Sequence, residues 1–227
     1  SLRQIGDAFT TTGNYPNALE NILLALKIAE ELHDDQQIRR ALGTLSSLYF
    51  YEGDMERSID YTRKAITIDR KLHDSSGLLP DIVNLGNTYE QINQLDSALV
   101  YTRLGFLMAT ARNNTETIGV GFNNLGNIFL KLGRPDSAMY FCKSAIPYYR
   151  ENNDNEGFCE IYLGMAKIFL QRHQADSCLY YAKLSFATAK NSSLTNYLLA
   201  TSKFLAGYYQ SVRNVDSAFV YLSATIV

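Results

Sequence analysis

Apolar residues recur along this chain at spacings of three and four. Ile118, Phe122, Leu125, Phe129 and Leu132 are one such series, and that spacing sets them on a single stripe of a helix. The run Thr115–Leu132 ends at Gly133, the residue type that most readily takes the left-handed position closing a helix. Pro135 follows at the start of the next run, where its missing N–H costs nothing. This two-run unit returns every 40 residues. The small residues Gly6, Ser46, Gly86, Gly126, Ala166 and Ala206 mark the first run of each unit, and Ala18, Ser58, Ala98, Ala138, Cys178 and Ala218 mark the second. An aromatic column, Phe9, Tyr49, Tyr89, Phe129, Phe169 and Tyr209, keeps the same register. Self-similarity at a fixed period of this length predicts stacked supersecondary units in place of one central core.

The polar positions fix the boundaries. Gly13 and Gly53 stand where Gly133 stands, while Asn93, His173 and Arg213 replace glycine in the other units. Asn tolerates the left-handed conformation, so the expectation is a slightly different turn at His173 and Arg213. Between units lie His33-Asp34-Asp35, Asp74-Ser75-Ser76, Asn113-Asn114-Thr115, Asn153-Asp154 and Asn191-Ser192-Ser193, which read as helix N-caps. The prediction is an all-α chain of twelve helices in six antiparallel pairs, with units at about 1–33, 34–73, 74–113, 114–153, 154–193 and 194–227 of one solenoid. Small residues meet where the two helices of a pair approach, and the aromatic column is expected to fill the space between one pair and the next. The chain opens inside the first helix of unit one and closes midway through the second helix of unit six, as a segment of a longer protein would.

Composition adds exclusions. Hydrophobic residues make up 46% and charged residues 19%, ample for a folded core. Net charge is −2 with a pI of about 5.9, and apart from Arg39-Arg40 the basic residues are scattered, which disfavours nucleic acid. No window approaches the ~18 apolar residues of a membrane span, so no direct membrane insertion is expected. Cys142, Cys159 and Cys178 suggest no disulfide framework; Cys142 and Cys178 occupy apolar and small core slots.

Leu85-Gly86-x-x-Tyr89 followed by Ala98, and Leu125-Gly126-x-x-Phe129 followed by Ala138 and Ala145, resemble the tetratricopeptide repeat, and the likeness extends over all six units. The period departs from the ~34 residues of the common form, and the Trp at the start and usually the Pro at the end are missing. The added length resembles the extended-helix subclass of cell-polarity scaffolds, motor-protein light chains and bacterial regulators. The Asp-Ser-Ala turns at Asp96, Asp136 and Asp216 are similar to those in sensor regions of bacterial two-component kinases. The resemblance implies a right-handed α-α superhelix whose first helices line a concave groove. It also implies a non-enzymatic module that holds a peptide or protein segment there, as the sensor or interaction region of a signalling protein. Assembly scaffold, homo-oligomer and accessory region of an enzyme are the alternatives; an extracytoplasmic, membrane-anchored location is expected, with cytoplasmic as the other.

Within that groove the resemblance places Asn84, Asn87, Asn123, Asn124 and Asn127 as a ladder of donors and acceptors suited to an extended peptide backbone. Arg3, Arg40, Lys167 and Lys203 flank it and would anchor acidic groups. A chaperone-type carboxylate clamp is incomplete, because Val83, Glu160 and Gly164 stand at its basic positions. His33 and His73 share one register position but are too far apart for one metal, and Gly119-x-Gly121 lacks dinucleotide spacing. The column Tyr61, Tyr101, Phe141, Tyr181 and Tyr221 reads as inter-repeat packing, and the outward ring of each Tyr148-Tyr149 and Tyr180-Tyr181 pair as a possible contact surface. No catalytic constellation and no cofactor are expected.

Overall fold

The computed structural model describes residues 1–11, 14–72 and 75–224. Twelve helices cover them: α1 Leu2–Thr11, α2 Tyr15–Glu31, α3 Asp35–Glu52, α4 Met55–Leu72, α5 Ser75–Gln91, α6 Leu95–Ala111, α7 Thr115–Lys131, α8 Pro135–Glu151, α9 Asn155–Gln171, α10 Ala175–Asn191, α11 Thr195–Ser211 and α12 Val215–Ser223. Each odd helix and the even helix after it form a helix–turn–helix pair, six in all. The chain comprises two compact units, residues 1–108 and 109–227.

The turns are more uniform than expected. His173 (φ 56°) and Arg213 (φ 58°) take the same left-handed conformation as Asn93 (φ 59°) and Gly133 (φ 70°). Backbone bonds impose it. His173 N donates to Leu170 O at 3.0 Å and Gln174 N to Phe169 O at 2.9 Å, and Gly133 N and Arg134 N repeat the pair on Leu130 O and Phe129 O. These bonds satisfy carbonyls the helix end leaves open, and that gain offsets the side-chain strain. Gly13, His73 and Asp74 lie outside the described residues.

Between pairs the left-handed residue is followed directly by the cap. Asp34 accepts from Gln37 N, Asn114 from Thr117 N and Asp154 from Gly157 N, at 2.9–3.0 Å. The cluster Asn191-Ser192-Ser193 does not cap α11. Ser193 takes the left-handed position (φ 55°), so Leu194 stands at the N-cap with no side-chain bond.

In the first unit α1–α2 and α3–α4 pack pairwise, and α2 packs on α3, α4 on α5 and α1 on α3. The small positions permit a close approach: a Cβ on Gly86 would lie 2.8 Å from Thr102 Oγ1 and 3.2 Å from its backbone N. Ser46 and Ser58 make the same contact polar, with Ser46 Oγ donating to Ser58 O at 3.1 Å. Ala18, Ile22, Ala41, Leu45, Leu48 and Tyr49 form a buried core.

In the second unit α7–α8, α9–α10 and α11–α12 pair, and the first helices touch in sequence, α7 on α9 and α9 on α11. A Cβ on Gly126 would lie 2.9 Å from Cys142 Sγ. All three cysteines are buried and free.

The aromatic columns differ from expectation in both units. Tyr49 stacks on Tyr61 and Tyr89 on Tyr101 at 5.4 Å, Phe129 on Phe141 at 5.1 Å and Phe169 on Tyr181 at 5.4 Å. Each stack joins the two helices of one pair, because a tight turn brings rings twelve residues apart side by side. Contact with a neighbouring pair is secondary: Tyr61 also packs on the core around Leu45, and Tyr181 on Leu205.

Candidate functional site

The first unit carries two adjoining cavities along its odd helices. One, of about 360 Å³, is bounded by Arg3 and Asp7 of α1, Arg39 and Arg40 of α3, and Asp81 and Asn84 of α5. The other, of about 220 Å³, is bounded by Phe50 and Tyr51 of α3 and by Asn84, Asn87 and Thr88 of α5. Ser47 and Asn84 line both, so the two form one trough along α3 and α5. Gly43 leaves it open, since a Cβ there would meet nothing within 4 Å.

The charges in the trough differ in commitment. Arg3 is tied to Asp7 one helical turn away, at 2.7 Å. Arg40 is exposed and makes no ion pair among the described residues. Beneath it Arg39 is largely buried, its side chain 18% exposed, donating from Nε to Asp69 Oδ1 at 2.9 Å and from Nη2 to Asp81 Oδ2 at 3.0 Å. Gly77 makes room for this guanidinium, because a Cβ there would sit 2.0 Å from Nη2. Two buried carboxylates thus face one cation. Burial, reinforced by Asp69 and opposed by Arg39, pushes the Asp81 carboxyl up to about 6.

The second unit holds the other expected residues. Asn124 and Asn127 are half-buried, and Lys167 and Lys203 are exposed. Asn123 does not present an open side chain: it is 1% exposed, and its Nδ2 donates to Glu160 Oε2 at 2.7 Å. Glu160 Oε1 accepts from Tyr197 O–H at 3.0 Å, so one carboxylate joins α7, α9 and α11. Burial raises the Glu160 carboxyl above the usual range, with Tyr197 opposing. Asn123 Oδ1 and the Tyr149 hydroxyl are buried with no partner, and burial raises the Tyr149 phenol. On the even helices Tyr140 and Tyr180 are 65% and 62% exposed.

Sequence reasoning missed Arg39, Asp69, Asp81 and the bridging role of Glu160. The signals were Gly77 inside a helix and the sole adjacent basic pair, Arg39-Arg40. His33 is exposed and His73 is undescribed; no cluster of metal-ligating side chains occurs among the described residues. No described helix is long and apolar enough to cross a membrane.

The family model of the tetratricopeptide repeat matches residues 1–71. No curated protein matches the sequence. Among solved structures, aspartyl phosphate phosphatase F from Bacillus subtilis is similar at 18% identity and a TM-score of 0.76, over 99% of this chain and 68% of that one. A Rap protein complexed with Competence and Sporulation Factor is similar at 14% identity and a TM-score of 0.75, over 99% and 73%. NprR in complex with its cognate peptide NprX is similar at 12% identity and a TM-score of 0.78; there the chain spans 96% of its own length and 63% of NprR. The chain therefore has a tetratricopeptide-like repeat fold.

Proposed function

We propose that this chain is a non-enzymatic module that binds an extended peptide or protein segment along its odd helices, as the sensor or interaction region of a bacterial regulatory protein. The observation that carries the reading is the trough of the first unit, where Asn84 and Asn87 stand on one wall beside Arg3 and Arg40. Amide side chains offer a donor and an acceptor to a peptide backbone whatever its sequence, and Arg40 adds a cation for an acidic group. Asn124, Asn127, Lys167 and Lys203 are proposed as contacts of the same kind in the second unit. Asn123 acts there by positioning α7 through Glu160. The 40-residue period assigns the chain to the extended subclass of the repeat. Two of the similar structures hold a peptide or a signalling factor, which agrees with this reading.

The test is selection of binders from a displayed library of extended peptides, followed by affinity measurement on Asn84→Ala and Asn87→Ala. Each substitution is expected to weaken binding at unchanged helicity. Unchanged affinity in the double variant refutes the trough as the binding surface.

A second reading, an assembly scaffold, draws on the exposed rings of Tyr140 and Tyr180, which repeat at one register position of α8 and α10. It requires a mass that grows with concentration and falls back in Tyr140→Ser/Tyr180→Ser.

A further inference from the structure

The larger cavity of the trough contains more chemistry than backbone recognition needs. Its exposed cation, Arg40, is uncommitted, while the cation below, Arg39, is shared by two acids on different helices, Asp69 of α4 and Asp81 of α5. The charged groups facing Asp81 are Arg39 and Arg40 of α3, Asp69 of α4, and Arg3 and Asp7 of α1 across the cavity; α6 contributes none to its lining. With every group ionised the positive and negative charges of this set cancel, so an arriving anion gains little beyond Arg40 itself.

We propose that this cavity binds a carboxylate together with a proton, the carboxylate pairing with Arg40 and the proton settling on the Asp69–Asp81 pair. The inference rests on the peptide-binding reading for its natural ligand and adds an acidic group to what that ligand must carry. Protonating one of the two acids turns the cavity from neutral to singly positive. An anion held beside Arg40 in turn repels the remaining negative charge of the pair, which favours the protonated form. Proton and anion therefore bind cooperatively, each strengthening the other by the same factor. No bond is made or broken; a proton moves from solvent to a carboxylate. The unbound pair already holds its proton more tightly than an ordinary carboxyl, Asp81 being pushed up to about 6, so the coupling operates close to neutral pH.

Three small probes test this without the rest of the trough. N-acetylglycine presents a terminal carboxylate on one peptide unit, N-acetylaspartic α-amide a side-chain carboxylate, and N-acetylglycinamide none. Binding is read from nitrogen–proton correlation spectra at the arginine side-chain signals. At least one carboxylate probe is expected to shift the Arg40 signal and the neutral amide to leave it, and which acid binds tells a terminal from a side-chain carboxylate. Affinity should tighten by about tenfold from about pH 7.5 to about pH 5.5, where the probe acids remain ionised.

Arg40→Gln, on an exposed side chain, should abolish the shifts without affecting the fold. Asp81→Asn, which fixes one acid in its neutral state, should bind more tightly than the natural chain at about pH 7.5 and lose the pH dependence. A gain of affinity is not an outcome that misfolding produces. Equal shifts with the neutral amide, binding intact in Arg40→Gln, or pH dependence persisting in Asp81→Asn would each overturn the proposal. Carboxylate binding at the cavity alongside failure of the peptide library would refute peptide recognition while leaving this site standing.

Discussion

Replacing Asp81 by Asn should stabilise the first unit near neutral pH, although it removes one partner of a buried ion pair. The Asp81 side chain is 7% exposed, and Arg39 already has a second partner in the fully buried Asp69. The acid is pushed from 3.8 to about 6 despite Arg39. Because the folded value lies above the unfolded one, the stability it contributes is complete below the unfolded value and is lost as pH rises through about 6. At ~1.36 kcal/mol per pH unit, ionising Asp81 in the fold costs about 3 kcal/mol. Asn keeps an oxygen for Arg39 Nη2 and leaves Arg39 and Asp69 as a one-to-one pair. Urea unfolding followed by far-ultraviolet circular dichroism across this range should show the natural chain losing ground to the variant as pH rises. A variant less stable than the natural chain at about pH 7.5, or a difference flat with pH, would refute the reasoning by showing that the ion pair outweighs desolvation.

Three further substitutions probe the packing. Gly126→Val crowds Cys142 Sγ, 2.9 Å from the new Cβ, and should cost roughly 1–3 kcal/mol in urea unfolding, with hydrogen exchange accelerated in α7 and α8. Arg213→Gly relieves a left-handed residue (φ 58°) held by two backbone bonds and should raise the stability of the α11–α12 pair by about 1 kcal/mol, measured by amide exchange. Glu160→Ala strips Asn123 Nδ2 and the Tyr197 hydroxyl of their acceptor and should cost about 2 kcal/mol. Glu160→Gln should cost less, because Asn123 has an unused Oδ1 to turn towards the new amide.

The architecture was legible because a 40-residue period repeats its own evidence: small positions, apolar stripes and closing glycines recur in register, so each unit confirms the last. The turn at Arg213 was misread because side-chain preference speaks for the residue alone, whereas two backbone bonds to Gln210 and Tyr209 decide its conformation. Leu194 stands at a cap because the turn consumes Ser193, one position earlier than the polar cluster suggests. Asn123 was read as groove-facing from its register, and register holds no information about Glu160, 37 residues later, which draws it into the packing. The Arg39–Asp69–Asp81 network was out of reach for the same reason, its members lying 30 and 42 residues apart on three helices.

The central claim, that the odd-helix trough of the first unit receives a peptide, is tested most directly by mapping amide chemical-shift changes on addition of a peptide selected for binding. The account predicts that the largest changes fall on α3 and α5 around Ser47, Asn84 and Asn87. Changes concentrated on the even helices, around Tyr140 and Tyr180, with α3 and α5 silent, would contradict it.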